Sequence, residues 1–154
     1  MNIGINPSLN GGIVAVGNIK IDTFHWKMPV VKWENKTVID PHEFASIIRS
    51  IPGENKVVAI EKVDQTSLKN ISGVFNIGWS TGVIYGVLAA MQIPVLMPSQ
   101  HEWQKRIFTG MDKKLGKKRS KRFCDQYWGC NVWDDGLANA ACIALWCQLK
   151  ISER

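Results

Sequence analysis

Short apolar runs alternate with turn-forming residues through the first sixty positions. Ile3 and Ile5, then Ile13, Val14 and Val16, then Ile19, Ile21, Phe24 and Trp26 form three β-type runs, divided by turn-rich residues at 7–12 and 17–18. That spacing predicts a three-stranded antiparallel meander. Asp40 followed by Pro41 and Glu43 has the form of a helix start, and Phe44, Ile47, Ile48 and Ile51 follow at helical spacing up to Pro52 and Gly53. The unbroken run Val57, Val58, Ala59, Ile60 predicts a strand buried on both faces. A long helix is expected over 67–91, and Gly78, Gly82 and Gly86 on one side of it would let it lie close on the sheet. Asn76, Ser80 and Thr81 interrupt the greasy span, which argues against a membrane dimer. Val95 to Met97 reads as a last strand, and Ser99 with Glu102 as the capping box of a helix carrying Trp103 and Lys105. A loop at 110–116, a basic helix and an Ala- and Leu-rich helix over 135–148 complete the chain. The result is an α/β fold, a mixed central sheet flanked by helices, in one domain over 1–154 with polar strand ends along one edge.

Composition narrows the classes. With 154 residues, 45% of them hydrophobic, and seven Trp, the chain can bury a real core. The longest apolar run, 83–91, is about half of the roughly 18 residues a membrane span needs, so no membrane partner is expected. The opening Met-Asn-Ile-Gly-Ile lacks the features of a secretory signal, which points to the cytoplasm. Cys124, Cys130, Cys142 and Cys147 include no Cys-x-x-Cys pair and are expected to be reduced, packed thiols. The formal charge of +6 is concentrated between Lys105 and Arg122, where nine basic residues accompany one acid, Asp112. Such a stretch fits a polyanion partner, because neutralised phosphates release counterions; a solvated lysine-rich helix face is the plainer alternative.

Four polar groups stand where the apolar pattern does not ask for them. Asn6 ends the first strand, Glu61 ends the buried strand, and Asp135 and Asn139 open the last helix four residues apart, on one face. If the first strand and the buried strand are neighbours, Asn6 and Glu61 lie side by side with the helix start opposite them. Such a cluster would present oxygen ligands to a hard cation. Each residue alone also has a structural reading: Asn6 as a turn former, Glu61 as a strand-end charge, Asp135 as an N-cap, Asn139 as a surface amide.

Gly4-Ile5-Asn6-Pro7-Ser8 with Gly11-Gly12 resembles the opening Gly-Ile-Asp-Pro-Gly motif of the RuvC-type Holliday-junction resolvases. Ala59-Ile60-Glu61-Lys62-Val63 is similar to their second motif. The stretch from Ser72 through Gly78, Gly82, Ile93-Pro94, Pro98, Lys105 and Gly110 resembles the long helix, next strand and basic region. Asp135-Gly136-Leu137-Ala138-Asn139-Ala140-Ala141 is similar to the closing motif of the phage branch. The resemblance covers nearly the whole chain in order. It implies an RNase H-like fold with a five-stranded sheet, a C2 homodimer acting on a four-way DNA junction by paired nicks, and two Mg²⁺ ions, with Mn²⁺ as a substitute. Carried onto this chain, the metal positions are Asn6, Glu61, Asp135 and Asn139, with Lys105 as a basic catalytic residue. Lys62, Lys105, Lys113, Lys114, Lys117, Lys118, Arg119, Lys121 and Arg122 would contact DNA phosphates.

Two departures matter. Where the family has aspartates, this chain has Asn6 and Asn139, so two of four carboxylates are amides of nearly the same shape. An amide oxygen attracts a cation less and supplies no anionic bridge between two metals, so weak metal binding and slow or absent cutting are expected. Isosteric change within otherwise intact motifs reads as inactivation rather than drift. The family's aromatic wedge past the second motif is also missing, since Asp64 stands at about that place; Phe75 and Trp79 are the candidates to replace it, with core packing as their alternative role. An actin-like nucleotide site is disfavoured by the short chain and the lack of a second Gly-rich loop, so no nucleotide cofactor is expected.

Overall fold

The computed structural model describes residues 1–18, 22–62, 71–129 and 133–153, without the side chains of Lys113 and Lys117. Strands β1 (Asn2–Asn6), β2 (Gly12–Val16) and β3 (Thr23–Lys27) form the expected antiparallel meander. Ile19 and Ile21 lie outside the described residues. A hairpin follows that the sequence reading missed, β4 (Val30–Trp33) and β5 (Lys36–Ile39). Its two-residue turn, Glu34–Asn35, contains no glycine, although Glu34 adopts a positive φ of 52°. The usual Asn-Gly or Asp-Gly signal for a hairpin was therefore absent.

Helix α1 (Pro41–Ser50) is capped by Asp40, whose carboxylate accepts the N–H groups of His42 and Glu43. It leads to β6 (Val57–Ile60), α2 (Ile71–Ala90) and β7 (Val95–Leu96). The main sheet has the order β3-β2-β1-β6-β7, with β1–β2 and β2–β3 antiparallel and β1–β6 and β6–β7 parallel. Helix α3 (Gln100–Ile107) opens with the expected capping box, in which Ser99 and Glu102 satisfy each other's backbone N–H groups. A 3₁₀ turn, Lys113–Lys118, enters the basic helix α4 (Arg119–Trp128), and α5 (Asp135–Ser152) runs a turn longer than its pattern indicated.

The sheet carries a core on each face. On one, α5 lies across β1 and β2 with Val14, Val16, Trp103 and Phe108; on the other, α1 and α2 cover Ile3, Ile5, Ile13, Val58 and Ile60. Apolar residues thus project from both faces of the central strands, as their unbroken runs required.

The glycines of α2 overturn one expectation. Its buried residues are Ser80, Ile84 and Leu88, and a Cβ placed on Gly78, Gly82 or Gly86 would meet nothing within 4 Å. Position 80 is two residues from 78, about 200° around an α-helix, so the glycine row faces away from the sheet. By length and composition alone α2 is also long and apolar enough to cross a bilayer, although polar residues interrupt its apolar run. Cys124, Cys142 and Cys147 are buried and unpaired as expected, and Cys130 lies outside the described residues. Burial pushes the Cys142 and Cys147 thiols up, the latter to about 12, so both are inert core groups.

Candidate active site

The site starts from a register. Ile5 of β1 pairs with Ile60 of β6, and the Glu61 N–H donates to the Ile5 carbonyl at 3.1 Å. Asn6 and Glu61 therefore end two adjacent parallel strands at the same level, in the centre of the sheet. The last helix is brought to them by residues without side chains. A Cβ on Gly4 would collide with the Ala140 carbonyl oxygen and the Ala144 nitrogen, and one on Gly136 with the Asn10 carbonyl oxygen. Only glycine allows β1 and the 8–12 loop to approach the first turns of α5 this closely. That contact seats the first turns of α5, which carry Asp135 and Asn139, against β1 and the loop that follows Asn6.

Three of the four groups have a defined neighbour. Glu61 is 8% exposed, and the indole Nε1–H of the fully buried Trp103 donates to its Oε1 at 3.3 Å. Burial raises the Glu61 carboxyl above its ordinary value, and the Trp103 hydrogen bond opposes the rise. Asn6 Oδ1 accepts the Ser8 N–H at 3.2 Å, and Asn139 Oδ1 accepts the Ser120 hydroxyl at 2.6 Å. Asp135 is exposed at the first position of α5. Asp134 is the N-cap: it accepts the Leu137 N–H and pairs with Lys27 Nζ at 2.8 Å. Partial burial pushes the Asp134 carboxyl up, but the Leu137 N–H and Lys27 outweigh that and hold it below the usual range.

Trp103 and Ser120 are the site neighbours that sequence reasoning missed as functional groups. Trp103 was visible only as an apolar landmark. Its place follows from the parallel bridge between Lys62 and Ser99, which sets the start of α3 beside the end of β6 and leaves Trp103 one helical turn further on. Ser120 comes from the basic region, so α4 begins against Asn139.

The basic residues divide into groups. Arg119 stacks its guanidinium 5.1 Å from the Phe108 ring centre and donates to Gln104 Oε1 at 3.4 Å, beside Ser120. Lys121 pairs with Asp125 at 3.2 Å. Lys62, Lys114, Lys118 and Arg122 are exposed, while Lys113 and Lys117 contribute backbone to the same 3₁₀ turn. Lys105 is not brought to the cluster. It lies two residues beyond Trp103, on another side of α3, and lines a surface cleft with Trp146, Leu149 and Lys150 near the far end of α5.

The donor set does not suit a pair of divalent ions. It has two carboxylates and two amides, and both amide oxygens already accept hydrogen bonds. Among the described residues no three His, Cys, Asp or Glu side chains gather into a cation site.

The sequence matches no protein-family model and no curated protein sequence. The structure does have counterparts. The RuvC of Thermus thermophilus in complex with a Holliday junction substrate superposes with a TM-score of 0.67 at 15% identity, covering 97% of this chain and 94% of that one. The fold is that of RuvC. A second Thermus thermophilus RuvC structure gives a TM-score of 0.63 at 16% identity, with 97% and 95% covered. The RuvC-like, RNase H-like architecture thus spans the chain, and Asn6, Glu61, Asp135 and Asn139 come from the ends of its β1, β6 and α5.

Proposed function

We propose that this chain is a structure-selective endonuclease of the junction-resolving kind whose phosphodiester-cutting centre is disabled by Asn6 and Asn139. The observation that supports the proposal is that Asn6 and Glu61 stand at adjacent strand ends, while the first turns of α5 pack on β1 and on the loop after Asn6, and Asn139 bonds to Ser120 of a basic helix. In the active form of such a centre four carboxylates would hold two Mg²⁺ ions, with Mn²⁺ as a substitute. Here the two amides leave that role unfilled. Lys62, Lys114, Lys118, Arg119 and Arg122 contact backbone phosphates, with Lys113, Lys117 and Lys121 in the same basic segment, so binding is driven by charge and shape rather than base identity. Lys105 contacts a more distant phosphate. The protein acts as a two-fold homodimer, matching the symmetry of a four-way junction, and joins through the glycine row of α2, Gly78, Gly82 and Gly86. It works in the cytoplasm of a bacterial or phage-infected cell.

A second reading is a naturally non-catalytic junction-binding protein with the same fold. The hydrogen bonds from Ser8 and Ser120 favour it, since both give the amide oxygens a settled structural role. One experiment separates the two. The Asn6→Asp, Asn139→Asp double variant is compared with the unchanged chain for Mg²⁺-dependent nicking of a four-way junction, with junction and linear-duplex binding measured at two salt concentrations. Nicking that appears only in the double variant is the expected result; a variant that binds the junction but stays inert supports the second reading. Equal weak binding of both DNAs, without selectivity, overturns both.

A further inference from the structure

Helix α4 begins without the usual support. Its N-cap, Lys118, provides no side-chain hydrogen bond, and Gly116 just before it takes a φ of 52° and a ψ of −127°, so neither a cap nor a regular preceding turn fixes the direction in which the helix starts. Its first two residues supply the support through tertiary contacts instead. Arg119 donates from Nε to the Gly116 carbonyl at 3.3 Å and from Nη2 to Gln104 Oε1 at 3.4 Å, with its guanidinium over the Phe108 ring, and so ties the helix start to α3. Ser120 ties it to α5. Its hydroxyl, on a residue only 4% exposed, donates to Asn139 Oδ1 at 2.6 Å, and one turn later the Cys124 thiol reaches the Ala138 carbonyl at 3.6 Å.

These contacts fix an aim as well as a place. Ser120 and Cys124 are the buried residues of α4, while Lys118 and Arg122 are exposed. Positions 118 and 122 lie two residues before and after Ser120, about 200° round the helix from it, so pinning Ser120 turns both cations outward together, one turn apart. A helix whose start swings would offer that pair to a phosphate backbone only part of the time, whereas a fixed one offers it at a set spacing and loses less entropy on binding. The residue at 139 suits this task. An amide accepts the serine proton without bringing in a charge, whereas a carboxylate at the same half-buried place would need a cation to balance it. Asn139 thereby has a use in this chain that does not depend on a metal.

We propose that Ser120 and Asn139 form a positioning pair for DNA binding, which seats the start of α4 on α5 so that Lys118 and Arg122 engage the phosphate backbone together. For its ligand the pair rests on the junction-resolving reading. The test uses the full chain in EDTA, with a four-way junction and a linear duplex of equal length titrated over a series of KCl concentrations. Parent, Ser120→Ala, Asn139→Leu and the double variant are compared. The slope of log affinity against log salt counts the phosphates engaged. Each single variant and the double should lower junction affinity about tenfold and flatten that slope by about 2, the share of two phosphate contacts. Stability in denaturant should behave differently. Each single variant leaves one polar group without its partner and loses stability, whereas the double removes both groups and recovers part of the loss.

Slopes that stay at the parental value overturn the proposal. So do slopes that recover in the double variant along with stability, since the bond would then serve the fold alone. If Asn139→Leu does not fold, the slope of Ser120→Ala decides by itself. A parent that binds junction and duplex equally, with flattened slopes on both in the variants, removes the junction reading and leaves the pair standing; a parent that binds neither DNA overturns both. Without DNA, amide exchange over residues 119–128 should quicken in Ser120→Ala, and unchanged exchange there would show that the helix start does not depend on the bond, which also overturns the proposal.

Discussion

Helices α5 and α2 are both long and both carry rows of small residues, yet one is deeply enclosed and the other turns its glycines to open space. In α5 the residues from Leu137 to Cys147 are buried apart from half-buried Asn139, and Ala140 and Ala144 meet the bare backbone of Gly4. In α2 the core contact is made by Ser80, Ile84 and Leu88, and the row Gly78, Gly82, Gly86 lies on the other side, with Ile71 89% exposed one turn and more before it. A small-residue row therefore shows that close approach is possible without showing what approaches. The α5 row has a partner within the chain because Gly4 and Gly12 give complementary hollows. The α2 row has none among the described residues.

Three substitutions test this contrast, in decreasing order of effect. Gly4→Val should cost about 3 kcal/mol or more, because the new side chain has backbone rather than a movable side chain against it; denaturant unfolding should show the loss, and near-parental stability would mean that α5 can lift off β1. Gly82→Ala should instead raise the stability of the monomer by about 1 kcal/mol, through helix propensity alone. The same variant examined by sedimentation sharpens the comparison, since a weakened dimer alongside a more stable monomer would locate the missing partner of that row in a second copy. Asp134→Asn keeps the cap of α5 but removes its charge beside Lys27, and should cost only about 0.5 kcal/mol, because both groups are well exposed. The sign of its pH dependence follows from the lowered Asp134 value. The contribution is present above the ordinary aspartate range, is lost as pH falls through the folded value, and so parent and variant should converge in acid.

The sequence made the architecture legible wherever local pattern and global role agreed. Asp40, Ser99 and the unbroken run from Val57 to Ile60 each announced an element that the fold contains, because caps and two-sided burial leave direct marks on residue type. Asn6 and Glu61 lie side by side on the condition that the first strand and the buried strand are neighbours, and the register of β1 with β6 meets that condition. What stayed hidden depended on direction or on an exception. The glycine row of α2 could not show which way it faced, and the Glu34–Asn35 turn replaced the expected glycine with a residue held at positive φ. Lys105 was assigned by position in a motif, whereas the turn of α3 carries it away from the carboxylates. Trp103 and Ser120 reach Glu61 and Asn139 from 42 and 19 residues away, contacts that no local pattern encodes.

The pairing of β1 with α5 also sets an order of events during biosynthesis. Asn6 leaves the ribosome well over a hundred residues before the helix that must cover Gly4. Until then the central strands lack the layer that α5 supplies on one face, so a nascent or truncated chain exposes Val14 and Val16 to whatever surrounds it. The candidate cluster consequently cannot assemble piecemeal. It comes into being in the same closing step that completes the core.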